Sequence, residues 1–351
     1  MELQLTKDFR ISAGGAPYVI AEIGANHNGD LNLAKEMVAA AKACGAHAAK
    51  FQSWTPESLI SESEYQSNQV YTDSPKKHFG SLRSMVEKYY LTEDQHRELK
   101  AYCDTIGIDF CSSPFSREEV DLLADLGVEF FKIASMDINN LDLLGYAASF
   151  QKPIILSTGM ATLGEIETAI ETIRAQGNDR IIPLHCISIY PPEYADINLN
   201  NIPTLQQAFG YPVGFSDHTI GFSVPLAAVA LGACVIEKHF TTDKDLPGWD
   251  HEISADPEEM RIICAESRNI ALSLGSHRRT VSPAEEQKKL KFRRSVVARH
   301  ALEAGHVLTA DDLAFKRPAT GIPPNEAKYL IGRTLKQALD GDAILSWQDL
   351  V

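Results

Sequence analysis

A helix-start signal, Ser/Thr/Asp followed three residues later by Glu or Gln, recurs between residues 92 and 259: Thr92/Gln95, Ser116/Glu119, Thr162/Glu165 and Asp256/Glu259, the last with Pro257 at the first helical position. The first side chain accepts a backbone N–H of the opening turn and the second can return a bond, satisfying donors that a helix start leaves open. Such pairs arise by chance, but here each precedes helical periodicity. The short apolar runs "IDFCSSPF", "VEFFKIAS", "PIILSTG", "RIIPLHCIS", "PVGFSDH" and "CVIEKHF" alternate with helical segments. Upstream, "YVIAEIG" and "AHAAKFQSW" flank a helix predicted from Ala34, Met37, Val38 and Ala41, with Gly45 at its end. Eight strand–helix units over about 270 residues is the size of a (β/α)8 barrel. A doubly wound open sheet is the competing architecture, but no G-x-G-x-x-G follows the first strand. The polar stretch from Glu57 to about Lys88 breaks the rhythm and reads as a long loop with some helix.

The expected division is a barrel over residues 1–276, a polar, basic linker over 277–293 ("HRRTVSPAEEQKKLKFR") and a small, mostly β domain over 294–351. The tail's strand-like runs are "SVVAR", "LAFKRP" and "AILSW". A net charge of −14 argues against nucleic acid or an anionic membrane as the main partner. It leaves a small anionic substrate open, because surface charge is screened beyond about 8 Å. The six cysteines show no paired metal spacing, the start "MELQLTKDFR" lacks a cationic stretch followed by an apolar one, and no apolar run reaches membrane-spanning length. A cytoplasmic, reduced protein is expected.

Catalytic groups in a (β/α)8 barrel sit at the C-terminal strand ends. Those ends carry Glu22; Lys50 and Gln52; Ser112 and Ser113; Lys132 and Ser135; Ser157 and Thr158; His185, Ser188 and Tyr190; Ser216, Asp217 and His218; and Glu237, Lys238 and His239. Each taken alone has a structural explanation: the lysines as ion pairs with Glu22 or Glu237, the serines as turn residues, His185 as a core histidine. Converging on one rim, they point to function, since unpaired buried charge is costly. Two histidines beside carboxylates (Asp217, Glu237) can hold one divalent metal. Lysines and hydroxyls suit a phosphate or carboxylate, and Glu22 can serve as a base.

At these residues the chain resembles a known family. "IAEIGANHNGDLNLAKEMVAAAKACGAHAAKFQSW", "SSPFS", "FKIAS", "ILSTGMA", "LHCISIYPP", "GFSDHT" and "EKHFT" resemble the sialic acid (N-acetylneuraminate) synthases, a group that includes the legionaminic and pseudaminic acid synthases. "FRRSVVARHALEAGHVLTADDLAFKRPATGI" resembles their C-terminal SAF (antifreeze-like) domain. The resemblance implies condensation of phosphoenolpyruvate with an N-acyl hexosamine or related aldose, giving a nine-carbon 2-keto acid and phosphate. It implies a divalent metal, manganese ahead of magnesium or cobalt, on His218 and His239. Glu22 and Glu237 become the acid/base pair. Lys50, Ser113, Lys132, Ser135 and Ser157 would hold phosphoenolpyruvate, with Tyr190 nearby. Gln52, Ser216 and Asp250 would face the sugar. Arg317 would reach into a partner's site in a domain-swapped homodimer.

This chain departs from the family pattern at Ser188, where asparagine is common, and at Trp249, beside Asp250. Trp249 either reshapes the sugar pocket or anchors a loop. Three other functions compete. An octulosonate- or heptulosonate-type synthase would generally lack the tail. A metal-dependent barrel hydrolase would want an early H-x-H, which is absent. A non-catalytic carbohydrate-binding protein has no need of intact Glu22, Lys50, Lys132, His218 and His239.

Overall fold

The computed structural model describes residues 2–12, 14–70 and 80–351, so part of the expected long loop, 71–79, lies outside the described residues. The chain forms two compact units, Met1–Gly275 and Ser276–Val351.

The strands of the first unit are β1 (Glu2–Gln4), β2 (Arg10–Ser12), β3 (Tyr18–Glu22), β4 (Ala48–Ser53), β5 (Asp109–Pro114), β6 (Phe131–Ile133), β7 (Ile154–Ser157), β8 (Ile181–Cys186), β9 (Gly214–Asp217) and β10 (Val235–His239). Its helices are α1 (Leu31–Cys44), α2 (Pro56–Leu59), α3 (Glu62–Ser67), α4 (Leu82–Tyr89), α5 (Glu93–Ile106), α6 (Arg117–Asp125), α7 (Leu141–Ser149), α8 (Leu163–Arg174), α9 (Asn201–Phe209), α10 (Ser223–Ala230) and α11 (Pro257–Leu274). Strands β3 to β10 form one parallel sheet in the order β5-β4-β3-β10-β9-β8-β7-β6. The last strand pairs with the first, Val235 opposite Tyr18 through His239 opposite Glu22, and β6 returns beside β5. This is the expected TIM barrel.

Local chemistry sets the helix starts. Thr92, Thr162 and Asp256 each make the reciprocal capping box. Ser116 accepts the Glu119 N–H, but the Glu119 side chain does not return the bond; its carboxylate goes elsewhere. Helix α1 ends at Gly45, whose φ of 94° places it in the left-handed region that glycine tolerates.

Period-two alternation divides the apolar residues between two cores. Val19, Ala21, Phe51 and Leu156 face outward to the helices. Tyr18, Ile20, Ala48, Cys111, Ile155, Leu184 and Val235 face inward, joined by Leu3, Leu5 and Ile11 of the β1–β2 hairpin. The hairpin therefore floors the barrel. The interior is tight at Gly214, where a Cβ would lie 2.5 Å from Leu184 Cδ2 and 2.7 Å from the Val235 carbonyl oxygen.

In the second unit α12 (Pro283–Phe292) occupies the stretch expected as a linker, opened by a Ser282/Glu285 capping box. Strand β11 (Ser295–Ala298) pairs antiparallel with β12 (Leu313–Lys316), and "AILSW" adds only a bridge, Ile344 to Val297. One turn is used twice: Asp312 Oδ2 accepts from Thr309 N (2.7 Å) and Oγ1 (2.8 Å), and Asp349 Oδ2 accepts from Ser346 N (2.8 Å) and Oγ (2.8 Å). Val296, Leu302, Leu308, Leu313, Ile322, Leu330 and Leu345 form this unit's own core. Among the described residues of the chain, no helix is long and apolar enough to cross a membrane.

His27, in the turn between β3 and α1, is 1% exposed, and its Nδ1 accepts the Gly29 N–H (3.0 Å). Burial first, then the nearby His96 and His251, lowers its pKa to about 4. The unfolded chain takes up this proton near pH 6.5, so the contribution is intact above that pH and is lost as pH falls towards 4. Stability is expected to drop by on the order of 3 kcal/mol across that window for this residue. Urea denaturation at pH 7.0 and 4.5 checks it, and His27→Gln should flatten the difference.

Candidate active site

The alternation that sorts the core also builds the site. Continuing the inward phase past the apolar floor, β3 presents Glu22 and β4 presents Lys50 and Gln52. Strand β5 presents Ser113, β6 Lys132, β7 Ser157 and β8 Cys186. Strand β9 leads through Ser216 to His218, and β10 presents Glu237 and His239. With Ser135, Ser188 and Tyr190 from the following loops, these residues line one cavity of ≈ 260 Å³. Thirteen of the fifteen predicted site residues converge there. Ladder register sets the neighbours: Lys50 stands opposite Glu22, Ser113 opposite Gln52 and Glu237 opposite Ser216.

Buried charges alternate in sign across the cavity. Lys50 Nζ lies 2.7 Å from Glu22 Oε2 and 3.9 Å from Glu237 Oε2, and Lys132 Nζ lies 3.3 Å from Glu237 Oε1. Lys132 donates to Ser157 Oγ (2.7 Å), Gln52 Nε2 to Glu22 Oε1 (2.8 Å) and Ser216 Oγ to Glu237 Oε1 (2.9 Å). All four charged residues are at least 95% buried. Burial raises the Glu22 pKa, with Lys50 opposing. Burial also acts to raise Glu237, but Lys132 and Lys50 together outweigh it and hold its carboxyl below the usual value. Lys132 is lowered by burial. Burial acts the same way on Lys50, yet its two carboxylates raise it overall.

Ser113 Oγ is buried without a hydrogen-bond partner. Ser135 Oγ accepts the Gly159 N–H (3.0 Å). A Cβ at Gly159 would approach Ser188 Oγ to 2.3 Å and Ser135 Oγ to 2.8 Å, so glycine brings this backbone against the hydroxyls.

The two histidine rings lie with centroids 5.3 Å apart, and the Tyr190 ring sits 4.0 Å from that of His218. His218 Nδ1 donates to the Ile187 carbonyl (2.7 Å). Burial would push the Cys186 thiol up and the His218 imidazole down, but the hydrogen bond between them moves each the other way. Burial, and then the cationic neighbours led by His218, lowers His239 well below the usual histidine value. His239 Nδ1 lies 3.6 Å from Asp250 Oδ2, which places Asp250 beside the site. Arg317 belongs to the second unit, where its guanidinium stands 5.0 Å over the Phe292 ring.

Other polar strand-end residues take the opposite phase. Lys238 Nζ binds Asp217 Oδ2 (2.8 Å) and the Thr219 carbonyl, fully buried outside the barrel. Asp217, expected as a carboxylate neighbour of the metal, is instead the partner of Lys238. Ser112 Oγ pairs with Ser53 Oγ (2.6 Å), and Thr158 Oγ1 donates to the Leu184 carbonyl (2.9 Å). His185 is the core histidine expected, its Nε2 donating to the Ile197 carbonyl (2.6 Å). Trp249 takes the anchoring role: it packs on the cluster of Trp54, Leu82, Met85, Val86 and Tyr89, its ring 5.9 Å from that of Tyr89. Sequence reasoning did not single out Cys186, Phe115, Ala134, Met136 or Met160, which complete the cavity wall. The inward phase would have found Cys186, two residues beyond Leu184.

Residues 37–279 match the NeuB family and residues 293–351 match the SAF domain. The chain belongs to the NeuB family. Among its relatives, the N,N'-diacetyllegionaminic acid synthase of Legionella pneumophila is 41% identical over 341 residues, 95% of this chain and 94% of the relative. The pseudaminic acid synthase of Helicobacter pylori is 35% identical over 334 residues, 95% and 98% of the two chains. The crystal structure of an N-acetylneuraminic acid (sialic acid) synthetase from Leptospira borgpetersenii, in complex with citrate, superposes with a TM-score of 0.73 at 35% identity. It covers 82% of this chain and 95% of that one. In this NeuB-family barrel the Lys238–Asp217 pair carries a stability prediction. Asp217→Ala strands a buried ammonium and should cost about 3–5 kcal/mol in chemical denaturation, with Asp217→Leu/Lys238→Met recovering much of the loss.

Proposed function

We propose that this chain joins C3 of phosphoenolpyruvate to the aldehyde carbon of an N-acyl hexosamine-type aldose, with a divalent metal assisting. It is a phosphoenolpyruvate-condensing synthase of the nonulosonic acid type; the acceptor class and the metal are the proposal. The observation that carries the reading is the alternating set Glu22, Lys50, Glu237 and Lys132 beside a ring of serines and two buried imidazoles.

With all four ionised these side chains cancel in charge, and with Glu22 protonated they leave one positive charge for a multiply charged anion. The residues present fit a divalent cation. His218 Nδ1 is committed as a donor to a carbonyl, which leaves Nε2, now hydrogen-bonded with the Cys186 thiol, as the nitrogen that would bind a cation. His239, driven towards its neutral form, keeps lone-pair capacity, and its Nδ1 has no hydrogen bond. Among the described residues no three His, Cys, Asp or Glu side chains form a metal cluster, so water and substrate oxygens would complete the set. Two imidazole donors suit a first-row transition-metal dication better than magnesium, which prefers oxygen ligands. A cation held by His218 and His239 would polarise the acceptor's carbonyl and add positive charge for phosphoenolpyruvate.

The chain's own groups do the rest. Lys132, Ser157, Ser135 and the free hydroxyl of Ser113 bind the anion, and Lys50 holds it against the carboxylates. Glu22, whose carboxyl pKa is raised, carries a proton to the oxygen of the aldehyde as the carbon–carbon bond forms. Glu237 stays ionised, fixes both lysines and takes a proton from the water that adds at C2. Collapse of that tetrahedral carbon breaks its bond to the phosphate oxygen and releases inorganic phosphate. Gln52, Ser188, Ser216 and Asp250 orient the sugar, with Tyr190 packed on the imidazoles.

A homodimer, with Arg317 supplied by the partner, completes the reading. Met136, Met160, Leu163, Ile189, Tyr194 and Ile220, on the segments that follow β6 to β9, are 51–72% exposed, an apolar surface that suits cover by a second copy.

Phosphate release from phosphoenolpyruvate with manganese tests the reaction across N-acetylmannosamine, 2,4-diacetamido-trideoxyhexoses, mannose and arabinose 5-phosphate. Release is expected with one N-acyl sugar only, and a chelator should stop it. His218→Ala or His239→Ala should lower turnover by at least about a hundredfold while thermal unfolding still shows a folded chain. Wild-type rates in both would remove the metal assignment. Arg317→Ala is expected to raise the acceptor KM more than that of phosphoenolpyruvate; the reverse pattern would take Arg317 away from the sugar.

A further inference from the structure

We infer that Glu119 is a positioning residue for the acceptor side of the cavity, resting on the synthase reading above. Its sequence context predicts a capping-box partner for Ser116. The residue is instead 95% buried, and its carboxylate ties two loops together. Oε1 accepts from Thr55 N (3.1 Å) and Ser58 Oγ (2.5 Å), both on the segment that leaves β4. Oε2 accepts from Phe115 N (2.6 Å), the first residue past β5.

The place of these bonds gives them their meaning. The β4–β5 ladder runs only to Ser53 opposite Pro114. Up to that point backbone pairing fixes the spacing of the strands, and with it Gln52 and Ser113. Beyond it the loops diverge, and a shared carboxylate replaces the ladder as the link. Phe115 lines the cavity together with Ala134 and Met136, which adds apolar surface to a mostly polar site. Such a surface matches an apolar group on the substrate, such as an acyl methyl. Trp54 packs edge-on behind Phe115, with ring centroids 6.1 Å apart, so a shift of either loop moves the wall. A hydrogen bond to an ionised acceptor is stronger than a neutral one, which suits a single residue that must hold two loops.

The test pairs Glu119→Gln, which keeps the shape and gives up one acceptor oxygen, with Ser58→Ala, which removes one donor from a half-exposed position. In steady-state assays with the acceptor that the wild type uses, E119Q should raise the acceptor KM roughly tenfold or more, the scale of one lost charge-assisted hydrogen bond. It should leave kcat within about twofold and the calorimetric Kd for phosphoenolpyruvate unchanged, because none of the residues assigned to the anion lies on the two loops that Glu119 joins. S58A should shift the acceptor KM the same way by a smaller factor. Hydrogen exchange should quicken at the Thr55 and Phe115 amides in E119Q. An unchanged KM in both variants, with or without a lowered Tm, overturns the inference. Equal loss of phosphoenolpyruvate binding overturns it too, since the clip would then hold the whole site. A wild type that releases no phosphate with any acceptor defeats the synthase reading itself, and this inference with it.

Discussion

Four charged side chains meet inside a barrel that could have been filled with hydrocarbon, and the site depends on their mutual compensation. Lys50 is the hinge, within 2.7 Å of Glu22 and 3.9 Å of Glu237. Lys132 completes the row at 3.3 Å from Glu237. Removing one member leaves another buried charge unanswered, a loss that typically runs to several kcal/mol. The pairing of β10 with β3 makes the row possible, because it places Glu237 and His239 beside the strand that carries Glu22. Closure of the barrel and assembly of the site are therefore one event.

Much of this was readable before any coordinates. Alternating capping signals and apolar runs identify the barrel, and polar residues at every strand end identify the rim. What a strand-end inventory lacks is phase. Asp217 and Lys238 look as functional as their neighbours Ser216 and Glu237, yet each lies one residue away from them, which turns it to the opposite face of the sheet. Phase follows from neighbours on the same strand: Tyr18 and Ile20 lie inside, so Glu22 does too.

Short-range signals failed where long-range partners outcompeted them. Glu119 has the spacing of a capping residue, but the amides of Thr55 and Phe115 and the Ser58 hydroxyl claim its carboxylate, and sequence spacing carries no information about them. The β1–β2 hairpin was missed because three-residue strands offer too few residues to show alternation. Helix α12 was hidden by its composition: none of its residues is buried, so it lacks the apolar stripe by which helices are recognised. Trp249 could be assigned only from its neighbours, the aromatic cluster around Tyr89.

The hairpin floor has a consequence for traffic. Leu3, Leu5 and Ile11 fill the end of the barrel opposite the polar strand ends, so the cavity is approached from the rim that carries them. On the proposed assignment an anion among the inward serines lies deeper than the sugar above it, and three aliphatic side chains close the barrel behind it.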